Sequence, residues 1–247
     1  MRLQERIWIV ACGDSGFSLS HPTDCTVYLV DGGSESALID AGCGLGAEEI
    51  EENIKKTGHS LSDITKIFLT HGHGDHAGGA WRLAKDCGAE VYALEETASY
   101  VSRGDRKALS IDAAVEAGVY EKDFSFHACP VIPLEDGQIT RVGDLEIEAV
   151  QSEGHCAGHS CYMTVIDKKK VLFCGDSVYY GGKISLQSIW DCDLTAYIKT
   201  CLRLAEIRPE VFLPAHGAIA LGRGYLHTEK AAQVIRELGI PKNAIGE

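Results

Sequence analysis

The six residues His71-Gly72-His73-Gly74-Asp75-His76 constrain this chain more than any other feature. They follow Ile64 to Thr70, an apolar run that reads as a strand, so three imidazoles and a carboxylate are delivered together at a strand end. The glycines at 72 and 74 are expected to let the backbone turn tightly. His71 and His73 can then face one metal ion while Asp75 and His76 face a neighbouring one. Imidazole and carboxylate at this density suit zinc, with manganese and iron as the other divalent options.

Further ligand types recur downstream, each just past an apolar run: His155 in Gly154-His155-Cys156-Ala157-Gly158-His159, Asp176 in Cys174-Gly175-Asp176-Ser177, and His216 in Pro214-Ala215-His216-Gly217. One histidine after a strand says little. Three such positions behind the first cluster point to one shared site.

The rest of the chain supplies a scaffold for it. Ile7 to Ala11, Thr26 to Val30, Ser36 to Asp40 and Glu90 to Leu94 read as strands bounded by turn residues, with helices over Gly46 to Lys56 and Ala77 to Cys87. Glu95 to Phe126 reads as two helices crossing the sheet and forming a lid. The β pattern returns in Gln138 to Val142, Leu145 to Gln151, Cys161 to Asp167 and Lys170 to Cys174. A helix at Asp193 to Ile207, a strand at Glu210 to Leu213 and a helix at Gly222 to Leu238 close the chain. This alternation of β-rich and helical stretches predicts an α+β fold, a four-layer αββα sandwich formed by one domain over residues 1–247.

The HxHxDH run, the later His, the later Asp and the final His resemble the metallo-β-lactamase superfamily. The resemblance extends from the Asp40-Ala41-Gly42 turn to His216. It implies that His71, His73 and His155 hold one metal, that Asp75, His76 and His216 hold the other, and that Asp176 bridges them. Asp40 and His159 match positions that support ligands rather than bind metal. Two metals about 3.5 to 4 Å apart can carry a bridging hydroxide that attacks a carbonyl at neutral pH. Asp75 and Tyr179 are the catalytic candidates. Tyr179 lies three residues after Asp176, where similar lactonases carry a functional tyrosine, and Tyr180 is its neighbour and rival. Cys156 is read as a packing residue because nothing pairs it with a base.

Composition narrows the reactions. With 45% apolar and 24% charged residues the chain reads as a globular protein, and no apolar run is long enough for a membrane span or a signal peptide, so the cytoplasm is the default. Ten cysteines without a CxxC pair read as reduced thiols; Cys25, Cys87 and Cys201 are expected in the core. A net charge of −13 disfavours nucleic acid and leaves a small-molecule substrate as the expected partner, with a homodimer possible. Flavodiiron oxygen reductases, which share the implied fold, have Glu where this chain has His73. Glyoxalase II thioesterases are similar in their motifs, but the tail after His216 is too short for their glutathione-binding domain. The expectation is a metal-dependent hydrolase of a small ester, a lactone first. A thioester is the second reading, an iron persulfide dioxygenase the third, and a non-catalytic metal-binding scaffold the remote one.

Overall fold

Strands in this chain are short, and the structure stacks them in two sheets that share an apolar interface. The computed structural model describes residues 1–13 and 15–244. The first sheet holds β1 (Arg2–Gln4), β2 (Ile7–Ala11), β3 (Val27–Asp31), β4 (Ser36–Ile39), β5 (Ile64–Phe68), β6 (Glu90–Leu94) and β7 (Ile132–Leu134), in that spatial order. β1 to β4 pair antiparallel, and β4 to β7 pair parallel. The second sheet holds β8 (Ile139–Val142), β9 (Leu145–Gln151), β10 (Ser160–Ile166), β11 (Lys169–Gly175) and β12 (Val211–Pro214), in the order β12-β11-β10-β9-β8. Only β11 and β12 pair in parallel there.

Ile9, Tyr28, Phe68, Tyr162, Phe173 and Leu213 are buried between the sheets. Each fully buried side chain of this size contributes roughly 1.5–3 kcal/mol. Two tyrosines also tie the sheets by their polar ends: the Tyr28 hydroxyl donates to the Pro214 carbonyl at 2.6 Å, and that of Tyr162 to the Leu69 carbonyl at 2.8 Å. Both bonds lie at the edge where the ligand-bearing loops emerge, so they fix one sheet's loops against the other's.

Helices cover the outer faces. On the first sheet lie α1 (Ala47–Lys56), α3 (Ala80–Cys87) and α4 (Glu95–Arg103), burying Ile50, Ile54, Leu83 and Val101 against Leu29, Leu38 and Ile67. On the second lie α6 (Leu194–Ile207) and α7 (Tyr225–Arg236), burying Tyr197, Leu204 and Ala231 against Leu172 and Phe212. The Asp193 carboxylate starts α6 by accepting the backbone N–H groups of Thr195 and Ala196 at 2.6 and 3.2 Å. Helix, sheet, sheet and helix are the four layers that the sequence predicts.

Three details depart from the sequence reading. The helix expected over Ala77 to Cys87 starts at Ala80, and a separate short helix before it, α2 (Gly74–Ala77), takes in half of the histidine motif. The 95–126 segment does hold two helices, but α5 (Ile111–Glu116) is short and residues 117–131 form no regular element. β1 and β7, three residues each, lie outside the predicted strands. All ten cysteines are free thiols, with Cys25, Cys87 and Cys201 buried as expected.

Candidate metal centre

The seven predicted ligand residues meet at one edge of the sandwich, each at or just beyond the C-terminal end of a strand. β5 delivers His71 and His73, α2 carries Asp75 and His76, β9 leads to His155, β11 to Asp176 and β12 to His216. His71, His73 and His155 place one ring nitrogen each within 4.8 Å of one another, and so do the ligand atoms of Asp75, His76 and His216. Asp176 lies between the two groups. Its Oδ2 is 3.6 Å from His155 Nε2, and its Oδ1 is 3.5 and 3.6 Å from the Nε2 atoms of His76 and His216.

Three of the imidazoles, those of His71, His76 and His155, have partners behind them. His76 Nδ1–H donates to Asp40 Oδ2 at 2.9 Å, and His155 Nδ1–H to the Ser185 carbonyl at 3.2 Å, so Nε2 of both rings faces the cluster. The Thr70 hydroxyl donates to Asp40 and lies 3.1 Å from His71 Nδ1, an acceptor for that ring's proton. Asp40 also accepts the Thr70 backbone N–H at 2.7 Å and sits at φ 64, a left-handed conformation that Asp tolerates better than most residues. His159 is turned away from ligation: its Nε2 accepts the Asp176 backbone N–H at 3.0 Å, which puts its own proton on Nδ1, 2.9 Å from the Ser152 hydroxyl. Asp40 and His159 thus hold the positions of support that the sequence suggests for them.

The electrostatics split the cluster. Burial, followed by the neighbouring imidazoles, holds His71 well below the ordinary histidine value, and burial with His155 brings His73 down to about 3. Burial opposes charge on His76 and His216 as well, but Cys25, Asp75, Asp40 and Asp176 outweigh it at His76, and Asp176 and Asp75 at His216, so both pKa values are raised. The same pairing outweighs burial at the carboxyls. Asp75 is held well below the usual carboxylate range, and Asp176 at about 2.

A donor set of imidazoles and carboxylates is what a divalent cation requires. His71 Nε2 and Asp176 Oδ1 are buried and, among the described residues, have no hydrogen-bond partner. Buried polar atoms are rarely left so unless something else satisfies them. The residues present therefore fit metal.

His73, Asp75, Asp176 and His216 form the floor of a cavity of about 1020 Å³. Leu109, Ala113, Ala117 and Tyr120 wall one side, and Tyr179, Leu186 and Ile189 the other. Tyr179 is buried in that wall, with its phenol pushed well up by burial and then by Asp176, so it keeps its proton at neutral pH. Tyr180 is 49% exposed and its ring packs, tilted, on that of His227 with centroids 4.1 Å apart, which makes it a rim residue. Cys156 is buried next to His155, and burial raises its thiol well above the usual value, against a role as nucleophile.

Two residues near the motif act differently from the sequence reading. Neither Gly72 nor Gly74 has a positive φ; a Cβ at Gly72 would lie 2.2 Å from Leu109 Cδ2, and one at Gly74 2.9 Å from the Phe124 ring. These glycines make room for the segment above rather than for a tight turn. Tyr120, which the sequence reading does not single out, reaches down from that segment and donates to Asp75 Oδ1 at 2.7 Å. Only the expectation of a lid over the metals pointed toward it.

A two-sheet sandwich with imidazoles and carboxylates gathered at one edge defines a class of proteins that hold divalent metal there. The sequence profile of the metallo-beta-lactamase superfamily matches residues 21–216, and this chain belongs to that superfamily. It is 30% identical over 217 residues to the lactamase-like protein aptB of Emericella nidulans, covering 88% of this chain and 58% of that one. It is also 30% identical over 194 residues to the atrochrysone carboxyl ACP thioesterase AgnL7 of Paecilomyces divaricatus, covering 78% and 50%. The chain thus spans about half the length of these curated relatives. Among solved structures it resembles a metallo-beta-lactamase family protein from Thermus thermophilus, with TM-score 0.72, 21% identity and coverage of 96% and 81%. It also resembles BJP-1, a subclass B3 metallo-beta-lactamase of Bradyrhizobium japonicum, with TM-score 0.68, 22% identity and coverage of 87% and 86%. Among the described residues no helix is long and apolar enough to cross a membrane.

Proposed function

We propose that this chain is a metal-dependent hydrolase whose substrate is a thioester with a bulky, largely apolar acyl group. The observation that carries the reading is the placement of the seven-residue cluster at the floor of a cavity of about 1020 Å³ walled by leucine, alanine, isoleucine and tyrosine side chains. A cavity of that size takes a drug-sized molecule and favours apolar over charged occupants. The thioesterase name of AgnL7 supports thioester over lactone, which reverses the order expected from sequence.

In this reading His71, His73 and His155 hold one divalent ion, Asp75, His76 and His216 a second, and Asp176 serves both; zinc is the ion proposed. Such a pair, when bound, lowers the pKa of water to near neutrality and polarises a carbonyl oxygen. The chain's own groups do the rest. Leu109, Ala113 and Ile189 exclude water from the acyl group. Asp75 stays ionised and can accept a hydrogen bond from the attacking water. The Tyr179 phenol, protonated at neutral pH, can donate to the oxygen that gains charge as water adds to the carbonyl. Collapse breaks the C–S bond, and the products are a carboxylate, a thiol and a proton.

The same buried Tyr179, three residues past Asp176, favours a lactone as the second reading. A panel of N-acetylcysteamine thioesters and lactones of graded acyl size, followed by thiol or proton release, separates the two. The proposal expects kcat/KM for thioesters to rise from acetyl to aromatic acyl groups. A preference for acetyl, or for lactones of every size, would sink it.

A further inference from the structure

Tyr120 places its hydroxyl on the Asp75 carboxyl group. It donates to Oδ1 at 2.7 Å and accepts the Asp75 backbone N–H at 3.2 Å, across 45 residues of sequence. The other carboxylate oxygen, Oδ2, is left facing His216 Nε2 at 3.2 Å and His76 Nε2 at 3.4 Å. A carboxylate pinned at one oxygen cannot turn that oxygen inward without breaking the bond.

The tyrosine is itself held by its own segment. Its ring stacks on Phe124 with centroids 4.5 Å apart, and Arg106 donates to the Phe124 carbonyl at 2.9 Å while pairing with Asp112 at 2.7 Å. Residues of this segment also wall the cavity: Leu109, Ala113, Ala117 and Tyr120 all line it. One short segment therefore touches both whatever fills the cavity and a group of the metal cluster.

We propose that Tyr120 is a positioning residue that restricts Asp75 to one-oxygen ligation and ties the order of the segment around residues 109–124 to occupancy of the Asp75, His76 and His216 group. The proposal rests on the reading of Asp75 as a ligand. Coupling of this kind is reciprocal, so an occupant that orders the segment favours the ion, and the ion favours the occupant. A hydrogen bond behind a ligand is typically worth about 10- to 100-fold in metal affinity.

Cobalt(II) titrations of the full chain test it, read by stoichiometry and visible absorption. Wild type is expected to take two ions and Asp75→Ala one. Tyr120→Phe keeps the ring stack and loses only the hydroxyl; its second ion should bind about 10- to 100-fold more weakly with the first unchanged. Phe124→Leu loosens the stack but keeps the hydroxyl, and should leave the first ion unchanged while weakening the second by less than Tyr120→Phe does. Wild-type affinities in Tyr120→Phe would overturn the proposal, as would equal weakening of both ions there or a second-ion loss in Phe124→Leu as large as in Tyr120→Phe. If Asp75→Ala bound metal like wild type, the ligand reading would fail and the proposal with it.

Discussion

The two halves of the metal centre are built from similar residues and differ in charge. In the half made by His71, His73 and His155, burial keeps the imidazoles neutral, so lone pairs are on offer at neutral pH. In the half made by Asp75, His76 and His216, the neighbouring acidic groups raise the imidazole pKa values, so protons compete more strongly with a cation there. Carboxylates crowd the second half: Asp75, Asp40 and one oxygen of Asp176 lie against His76, while the other oxygen of Asp176 lies against His155. The 95–126 segment packs on Gly72 in the first half and hydrogen-bonds to the second, through Tyr120.

The comparison can be broken most severely at Asp176, which faces both halves. Asp176→Ala is expected to weaken both ions and to lower turnover by more than the about 10- to 100-fold that losing a supporting hydrogen bond costs. Equilibrium dialysis and steady-state kinetics report both effects. Next in size, His71→Ala and His216→Ala should each remove one ion and leave the other, and elemental analysis of the two variants reads this out. Loss of both ions in either one would mean that the halves are a single site.

Acid sharpens the comparison. Because His76 and His216 have raised pKa values, protons compete for them as pH falls, whereas His73, held at about 3, stays neutral far longer. Lowering the pH from neutral toward 5 should release the second-half ion first, and cobalt absorption followed through the titration reports the order. Simultaneous release would contradict the electrostatic split. A smaller effect is expected at Asp40→Asn, which weakens the acceptor behind His76: about 10- to 100-fold in affinity for the second ion, with a lesser loss at the first through Thr70 and His71. The smallest lies away from the cluster. Lys66 donates to Glu35 at 2.8 Å and the Gly143 backbone N–H does so at 2.8 Å, and these bonds outweigh burial to hold the carboxyl at about 2. Its contribution is present above the ordinary value near 4.5 and is lost as pH falls toward 2. Glu35→Gln should cost at most about 1 kcal/mol in chemical denaturation, with metal content unchanged.

Much of this architecture is legible in the chain. Ile7–Ala11, Glu90–Leu94 and Leu145–Gln151 are strands at the very residues predicted, because apolar runs there end at turn residues. The seven ligand types converge because each follows such a run. β1 and β7 escape notice because three residues carry too little pattern, and β7 contains a proline. The reason for Gly72 and Gly74 is not legible, since Leu109 and Phe124 approach them from about 40 to 50 residues away in sequence and no periodicity announces a tertiary contact. Tyr120 is hidden for the same reason.

The central claim is metal-dependent hydrolysis at this cluster. Thiol release from an aromatic acyl N-acetylcysteamine thioester tests it most directly, measured on zinc-loaded wild type, on chelator-treated protein and on zinc-loaded Asp75→Ala. The account predicts turnover by the loaded wild type, its loss on chelation with return on adding zinc, and turnover near the blank for the variant. Equal rates in all three samples, or none above the uncatalysed rate in any, would contradict it.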